Sequence, residues 1–373
     1  MLPENSLAKG SVVACTRKRC LLVLIALAVT LTAALSARFL YGPRPLYRVT
    51  ILPSLGQGSV LAFALNDREQ VVCVSYVGSK RYLFLWDRES GMQSLGLATP
   101  ATPLMINTAG KISGTMPTDV NDHQAFLWEP GKGRTMLGTL GTKQSVAVAM
   151  NNRGQVIGAS YDGAFAGDHS GASYAFIWDK QTGMRNLKMP DGRPCNPVSI
   201  NDAGQVLVSV EDANGSYRWF ILDPNGPISL SAAPAGAWLW RMNNSSCIAG
   251  TDESDPSKSY LIFVDGQRIW KRLLPAKPDD IARLNDKNQI AYTEFSNNWW
   301  NNLRDQLFSP HAADSYLWDP GRGRIKLNRY VHGMHSFLVT DLNNNGCIVG
   351  MAETKDGSKR SVLLEPIPER WGK

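Results

Sequence analysis

Apolar residues in this chain come in short bursts broken by Asn, Gly and Asp, and the bursts follow one another in a fixed order. The clearest instance is Val146-Ala-Val-Ala-Met-Asn-Asn-Arg-Gly-Gln-Val-Ile-Gly158, followed by Ala175-Phe-Ile-Trp-Asp179. The first stretch reads as a strand, a tight polar turn and a second strand; the next reads as a third strand. The pattern recurs in degenerate form seven times.

An apolar residue followed by Asn marks each unit. The markers are Leu65-Asn66, Ile106-Asn107, Met150-Asn151, Ile200-Asn201, Met242-Asn243, Leu284-Asn285 and Leu342-Asn343, spaced by 41, 44, 50, 42, 42 and 58 residues. A four-stranded propeller blade takes roughly 40–50 residues. Three places after each Asn stand Glu69, Gly110, Gly154, Gly204, Ser246, Asn288 and Gly346. Gly and Asn tolerate the positive φ of a short hairpin loop. Glu69 and Ser246 break that pattern, so a different turn type is expected at those two.

The third strands are Phe84-Leu-Trp86, Phe126-Leu-Trp128, Phe176-Ile-Trp178, Phe220-Ile-Leu222, Ile262-Phe-Val264, Tyr316-Leu-Trp318 and Val362-Leu-Leu364. Three apolar residues in a row point to both faces of a sheet, so each sheet is expected to be covered on both sides. The longer third and sixth units carry their extra residues between the second and third strands. The seventh unit stops at Pro366 after three strands, and the orphan segment 47–55 fits the missing fourth. The expected fold is all-β: a seven-bladed β-propeller over 47–366, closed by its N-terminal strand, which leaves no exposed edges.

Tyr47-x-Val-Thr, Leu55-Gly56 and Leu65-Asn66 resemble the extracellular HAF repeat family. The match is fuller over Ala125-Phe-Leu-Trp128, Leu137-Gly-Thr-Leu-Gly141, Ser145-x-Ala147-x-Ala149-Met-Asn151 and Gly154-x-Val156-Ile-Gly158. Gln124-Ala125-Phe126 stands where the family has His-Ala-Phe. The resemblance covers about 47–366 and is weakest in the fourth to sixth units. It implies an exported, propeller-like repeat protein, and it carries over no catalytic residue.

Composition agrees with an all-β fold: Gly (33), Pro (21) and Trp (11) are plentiful. The net charge of +7 is unevenly placed. Residues 1–46 hold Lys9, Arg17, Lys18, Arg19, Arg38 and Arg44 against Glu4, which is +5 and leaves +2 for the rest. No basic stripe remains, which argues against nucleic acid as a partner. The 18 residues 20–37 carry no charge and follow Arg17-Lys18-Arg19. The reading is a cytoplasmic basic tail (1–19), a transmembrane anchor or signal segment (20–37), a stalk (38–46), the propeller (47–366) and a C-terminal tail (367–373). The domain would then sit outside the cytoplasm on a single-pass anchor, or be secreted after cleavage beside Ala34-Leu35-Ser36. Cys73, Cys195, Cys247 and Cys347 are expected to be mostly buried thiols, and no Cys-x-x-Cys occurs.

Chemistry is harder to place. The long irregular segments fall on the rim that holds the second-to-third-strand loops and the links between blades, where binding residues concentrate. The candidate ligand-binding residues there are Asn297, Asn298, Trp299, Trp300 and Asn301. Paired Trp flanked by amides can stack on a sugar face and bond its hydroxyls, although the same residues can form a small core for the insertion. Trp86, Trp128, Trp178 and Trp318 keep to the repeat and read as core, as do Trp238 and Trp240. Asp162 with Asp168, and His332 with His335, lack the ligand spacing of calcium or zinc sites. No Gly-x-Ser-x-Gly or phosphate-cradling loop is present. No metal, cofactor or catalytic residue is assigned. The leading reading is a non-enzymatic module for a protein or glycan partner. The alternatives are a glycoside or ester hydrolase with its site at the channel mouth, and a structural component of the cell envelope.

Overall fold

The computed structural model describes residues 46–53, 60–77, 80–98, 102–118, 122–162, 173–231, 233, 236–252, 255–266, 268–274, 279–295 and 313–368. Residues 47–366 form seven four-stranded antiparallel sheets, a seven-bladed β-propeller. The blades run over 60–98, 102–136, 144–186, 196–229, 237–273, 279–326 and 334–366, each laid down in chain order from the channel outward. Tyr47–Ile51 is the outer strand of the seventh sheet. It pairs with Lys359–Pro366 in the register Tyr47↔Pro366, Val49↔Leu364, Ile51↔Val362.

The expected anchor at 20–37 lies outside the described residues. Among those described, the apolar runs are strands, a 3₁₀ turn spans Asn328–Tyr330, and no helix is long and apolar enough to cross a membrane. That finding overturns the membrane-anchored, single-pass placement drawn from the sequence.

The core is a series of seams between neighbouring blades. Val72, Val74, Leu83 and Leu85 of blade 1 meet Ile106, Ile112 and Phe126 of blade 2. The opposite face of blade 1, with Val71, Cys73 and Trp86, meets Cys347, Val349 and Leu363 of blade 7. A third strand that is apolar on both faces therefore serves two seams, which explains runs such as Val362-Leu-Leu364 at 0% exposure. Trp86, Trp178 and Trp318 are buried, and Trp128 is partly so.

Each inner strand carries a register shift shortly before its marker Asn, as between Ala62 and Ala64, Ala147 and Ala149, and Leu239 and Arg241. A bulge at this place adds twist where the strand turns toward the channel. The turn that follows is the same in all seven units. Its fourth residue has positive φ throughout, at +75 to +85° in Gly110, Gly154, Gly204 and Gly346 and at 55–62° in Glu69, Ser246 and Asn288. Glu69 and Ser246 thus adopt the common turn, contrary to the expectation from their identity.

In four second strands a glycine makes room for an aromatic ring. A Cβ on Gly158 would lie 1.9 Å from the Val146 carbonyl oxygen and 2.6 Å from Phe176 Cζ. Gly158→Ala is therefore expected to cost about 3 kcal/mol, the upper range for overpacking. Urea unfolding measures it, and a loss below about 0.5 kcal/mol would show that the seam accommodates the methyl group.

Candidate functional site

The seven marker asparagines are buried at the same level of the ring. Each carboxamide oxygen typically accepts backbone N–H groups of its own turn: Asn66 Oδ1 takes those of Arg68 and Gln70, both at 3.0 Å, and Asn343 Oδ1 takes those of Asn345 and Cys347 at 3.0 and 2.8 Å. Each Nδ2 then reaches the next blade. Asn66 donates to the Asn107 carbonyl (2.9 Å), Asn151 to that of Asn201 (3.0 Å), Asn243 to Asn285 (2.9 Å) and Asn285 to Asn343 (3.0 Å). Asn343 donates to the Asn66 carbonyl at 2.9 Å and closes the circle from blade 7 to blade 1. The Asn107 link is longer, at 3.4 Å, and Asn201 Nδ2 bonds its own Gln205 instead.

One residue on stand Asp67, Thr108, Asn152, Asp202, Asn244, Asp286 and Asn344, a second ring in which carboxylates pair with amides except at Thr108. Asn152 donates its backbone and side-chain N–H to Asp202 (2.7 and 2.8 Å), Asn244 to Asp286 (both 2.9 Å), and Asn344 to Asp67 (2.8 and 3.0 Å). Outside it, a glutamine of the turn reaches the Asp that ends a third strand: Gln205 to Asp223 and Gln289 to Asp319, both 2.7 Å. The equivalent place in blade 2 is Lys111, 2.9 Å from Glu129, which also has Lys180 at 3.4 Å and Lys132 at 3.8 Å.

These rings surround a cavity of about 150 Å³ to which all seven blades contribute. Two places before each marker the residues are Ala64, Met105, Ala149, Ser199, Arg241, Arg283 and Asp341. Inner strands have no neighbour on the channel side, and several of these side chains take up the N–H groups left over. Asp341 Oδ2 accepts from Leu65 N at 2.8 Å, Ser199 Oγ from Met242 N at 3.1 Å, and Met105 Sδ from Met150 N at 3.3 Å. Arg283 Nε lies 3.6 Å from Asp341 Oδ1. Burial and the neighbouring Arg241 charge bring Arg283 down to about 10. Burial also raises the Asp341 carboxyl, against the pull of Arg283, Arg241 and two backbone amides. The three side chains stand together on the inner strands of blades 5, 6 and 7.

This centre lies on the rim of the Asn turns, not on the long-loop rim favoured by the sequence. Asn297, Asn298, Trp299, Trp300 and Asn301 fall outside the described residues, as does Asp168. Trp240 packs beside the seam of Cys247, Leu261 and Trp318. Trp238 corrects the expectation of a core residue. It is 50% exposed, at the start of its strand, with its ring edge-on to Tyr217 at 6.4 Å and Trp219 at 6.2 Å. His332 and His335 are exposed, and among the described residues no three His, Cys, Asp or Glu stand as a metal-ligand group. Cys73, Cys195, Cys247 and Cys347 are buried free thiols, and burial raises each one, Cys195 to about 11. Thiols so raised are not nucleophiles at neutral pH.

No family model matches the sequence, and no curated protein matches it. Among solved structures the chain is similar to the β-propeller domain of the Trilobed protease from Pyrococcus furiosus, at TM-score 0.58 and 10% identity over 85% of this chain and 99% of that one. It is similar to the acylaminoacyl peptidase of Pyrococcus horikoshii at TM-score 0.55 and 11% identity, covering 82% of this chain and about half, 51%, of that one. It is also similar to the β-propeller domain of Cps50 (Swd1) from Myceliophteria thermophila, at TM-score 0.52 and 11% identity over 86% of this chain and 100% of that one. Likeness at such identities establishes the propeller fold alone.

Two outcomes are expected. Asn343→Ala leaves the buried Cys347 N–H, the half-buried Asn345 N–H and the Asn66 carbonyl without their partner, at about 1–3 kcal/mol for each fully buried group. A loss of about 3–5 kcal/mol in urea unfolding is expected. Asn343→Asp keeps the acceptor and should lose less; equal losses would mean that the turn bonds do not matter. The second outcome concerns acid. Hydrogen bonds from Ser90 pull the Asp87 carboxyl from 3.8 to about 2, and Asp179 and Asp223 are lowered by bonds from Thr182 and Asn225. Carboxyls depressed in the folded state stabilise it above their ordinary value, and that stability is lost as pH falls through the folded value. The melting temperature should fall between about pH 4 and pH 2. Asp87→Ala should flatten that slope, and an unchanged slope would rule the turn carboxylates out.

Proposed function

We propose that the protein is a non-enzymatic binding module that presents the Asn-turn face of its propeller to another protein. The observation that carries this reading is how the polar groups at the channel mouth are engaged. Asp67, Asp202, Asp286 and Asp341 each accept backbone amides of neighbouring blades or of their own, so they act as fasteners of the ring. A general acid or base needs a group that can reach a substrate proton. The exposed layer above the fasteners is basic, with Arg68, Arg153 and Lys287 on three turns, and suits an acidic surface. The turn and strand motifs around Ala125–Trp128 and Ser145–Gly158 support placing the chain among divergent HAF-type repeat proteins.

The test begins with crosslinking to identify the partner and continues with calorimetry on the purified pair. Arg153→Glu with Lys287→Glu should weaken binding about tenfold or more while leaving the melting temperature unchanged. Unchanged affinity sinks the choice of face. Turnover of any substrate in a panel of peptides, esters and glycosides sinks the non-enzymatic reading.

Exposure of Trp238 favours a second reading, a glycan partner on the opposite rim. An indole held edge-on by Tyr217 and Trp219 offers a fixed apolar face for a sugar ring. A glycan array should then show binding that Trp238→Ala abolishes, and an array that stays blank with the folded protein removes this reading.

A further inference from the structure

We propose that the centre of the propeller is an anion site, in which Arg241 and Arg283 together hold one small oxyanion of the carboxylate or phosphate type.

The two arginines occupy equivalent places in adjacent blades, two residues before Asn243 and Asn285. Both line the central cavity of about 150 Å³. The other five blades offer Ala64, Met105, Ala149, Ser199 and Asp341 at that place, so the level holds two guanidinium groups and one carboxylate. Asp341 cannot neutralise both. Its Oδ2 accepts from Leu65 N at 2.8 Å and its Oδ1 from Leu342 N at 3.0 Å, and Arg283 approaches that Oδ1 at 3.6 Å. Arg241 has a thioether instead of a carboxylate: its Nη1 lies 3.7 Å from Met105 Sδ. Thioether sulfur is a weak acceptor, and a guanidinium carries five N–H donors arranged to bind planar or tetrahedral oxyanions in pairs.

Two like charges at the bottom of a protein ring repel each other and lose hydration, and both effects lower Arg283 to about 10. An anion between them removes the repulsion and gives Arg241 a charged acceptor. Size limits the candidates. A cavity of about 150 Å³ is of the volume that admits a benzene-sized molecule, which leaves room for acetate, a C-terminal carboxylate or phosphate but not for a nucleotide. Entry is open on the side of the Asn turns, since Asp67, Asn152, Asp202, Asn244, Asp286 and Asn344 line the same cavity. Asp67, Asp202 and Asp286 at that mouth are engaged by amides and are offset by Arg68, Arg153 and Lys287 on the neighbouring turn positions.

This site stands apart from the docking reading, because a free anion binds or fails to bind with no partner present. The experiment follows the melting temperature of the whole protein with acetate, inorganic phosphate or chloride at constant ionic strength. Acetate or phosphate, at roughly a hundredfold excess over its dissociation constant, should raise the melting temperature by about 2–5 °C relative to chloride. Arg241→Met, which copies Met105, should abolish the shift and raise the melting temperature of the anion-free protein by relieving the repulsion. Should that variant fail to fold, Arg241→Lys offers an independent readout: it keeps the charge but loses the paired donors, so anion binding should weaken about tenfold, and unchanged binding overturns the proposal. A short peptide with a free C-terminal carboxylate, compared with its amide, separates the sources. Tighter binding of the acid than of acetate assigns the anion to a partner's terminus, and equal binding assigns it to a free solute. No shift with any anion, or an equal shift in Arg241→Met, overturns the proposal.

Discussion

The structure depends on what happens to the inner edge of each sheet. A strand at a sheet edge leaves a row of N–H and C=O groups without partners. In a propeller seven such edges converge on one axis, too far apart to pair with one another as strands. The marker asparagine resolves this with one side chain. Its oxygen accepts the amides that the hairpin turn leaves free, and its nitrogen donates across to the next turn. Aspartate would supply the first function and not the second; serine would do neither over that distance. Turn formation and ring closure are thus one interaction repeated around the axis. Where it lapses, at Asn201, the hydroxyl of Ser199 bonds Met242 N and keeps blades 4 and 5 joined.

That dual role explains why the fold could be read from the chain. A residue that must be both acceptor and donor at one place in every unit survives as a visible marker, and the two-faced third strands survive because each serves two seams. The marker also explains the misreading of Glu69 and Ser246. Their left-handed backbone costs roughly 1–2 kcal/mol in a residue with a Cβ, but the turn is held from both sides by the Asn carboxamide and by the Asn66 N to Gln70 O and Asn243 N to Cys247 O bonds. Turn geometry is dictated by the first residue, so the identity of the fourth is a preference that the rest of the turn can override.

The centre of the ring is not legible in the repeat itself. A repeat is found by what its units share, whereas a site on the axis is built where they differ. Ala64, Met105, Ala149 and Ser199 are unremarkable fillers of one strand position; Arg241, Arg283 and Asp341 occupy that position in three consecutive blades and give the axis its charge. Once the units are aligned on Asn, that departure is visible in the sequence alone. Trp238 was misjudged by the same alignment. It shares a column with the buried Leu61, but in blade 5 the column begins at the rim, beside Tyr217 and Trp219, where no seam covers it.

Charge on the axis and amides around it place opposing demands on the ring. The amide and carboxylate rings close only if neighbouring blades keep their separation, since bonds of 2.7–3.0 Å tolerate little drift. Arg241 and Arg283 set two like charges against each other on these same blades. Two of the inter-blade fastenings that resist this repulsion, Asn243 to Asn285 and Asn244 to Asp286, lie directly between the blades that carry the arginines, and both are short, at 2.9 Å. A repulsive pair held at a seam that is otherwise fully bonded is an arrangement an anion would relax and its removal would restore. An anion on the axis would therefore bear on the spacing of blades 5 and 6, and through the bonds from Asn243 and Asn244 on the turns of that face.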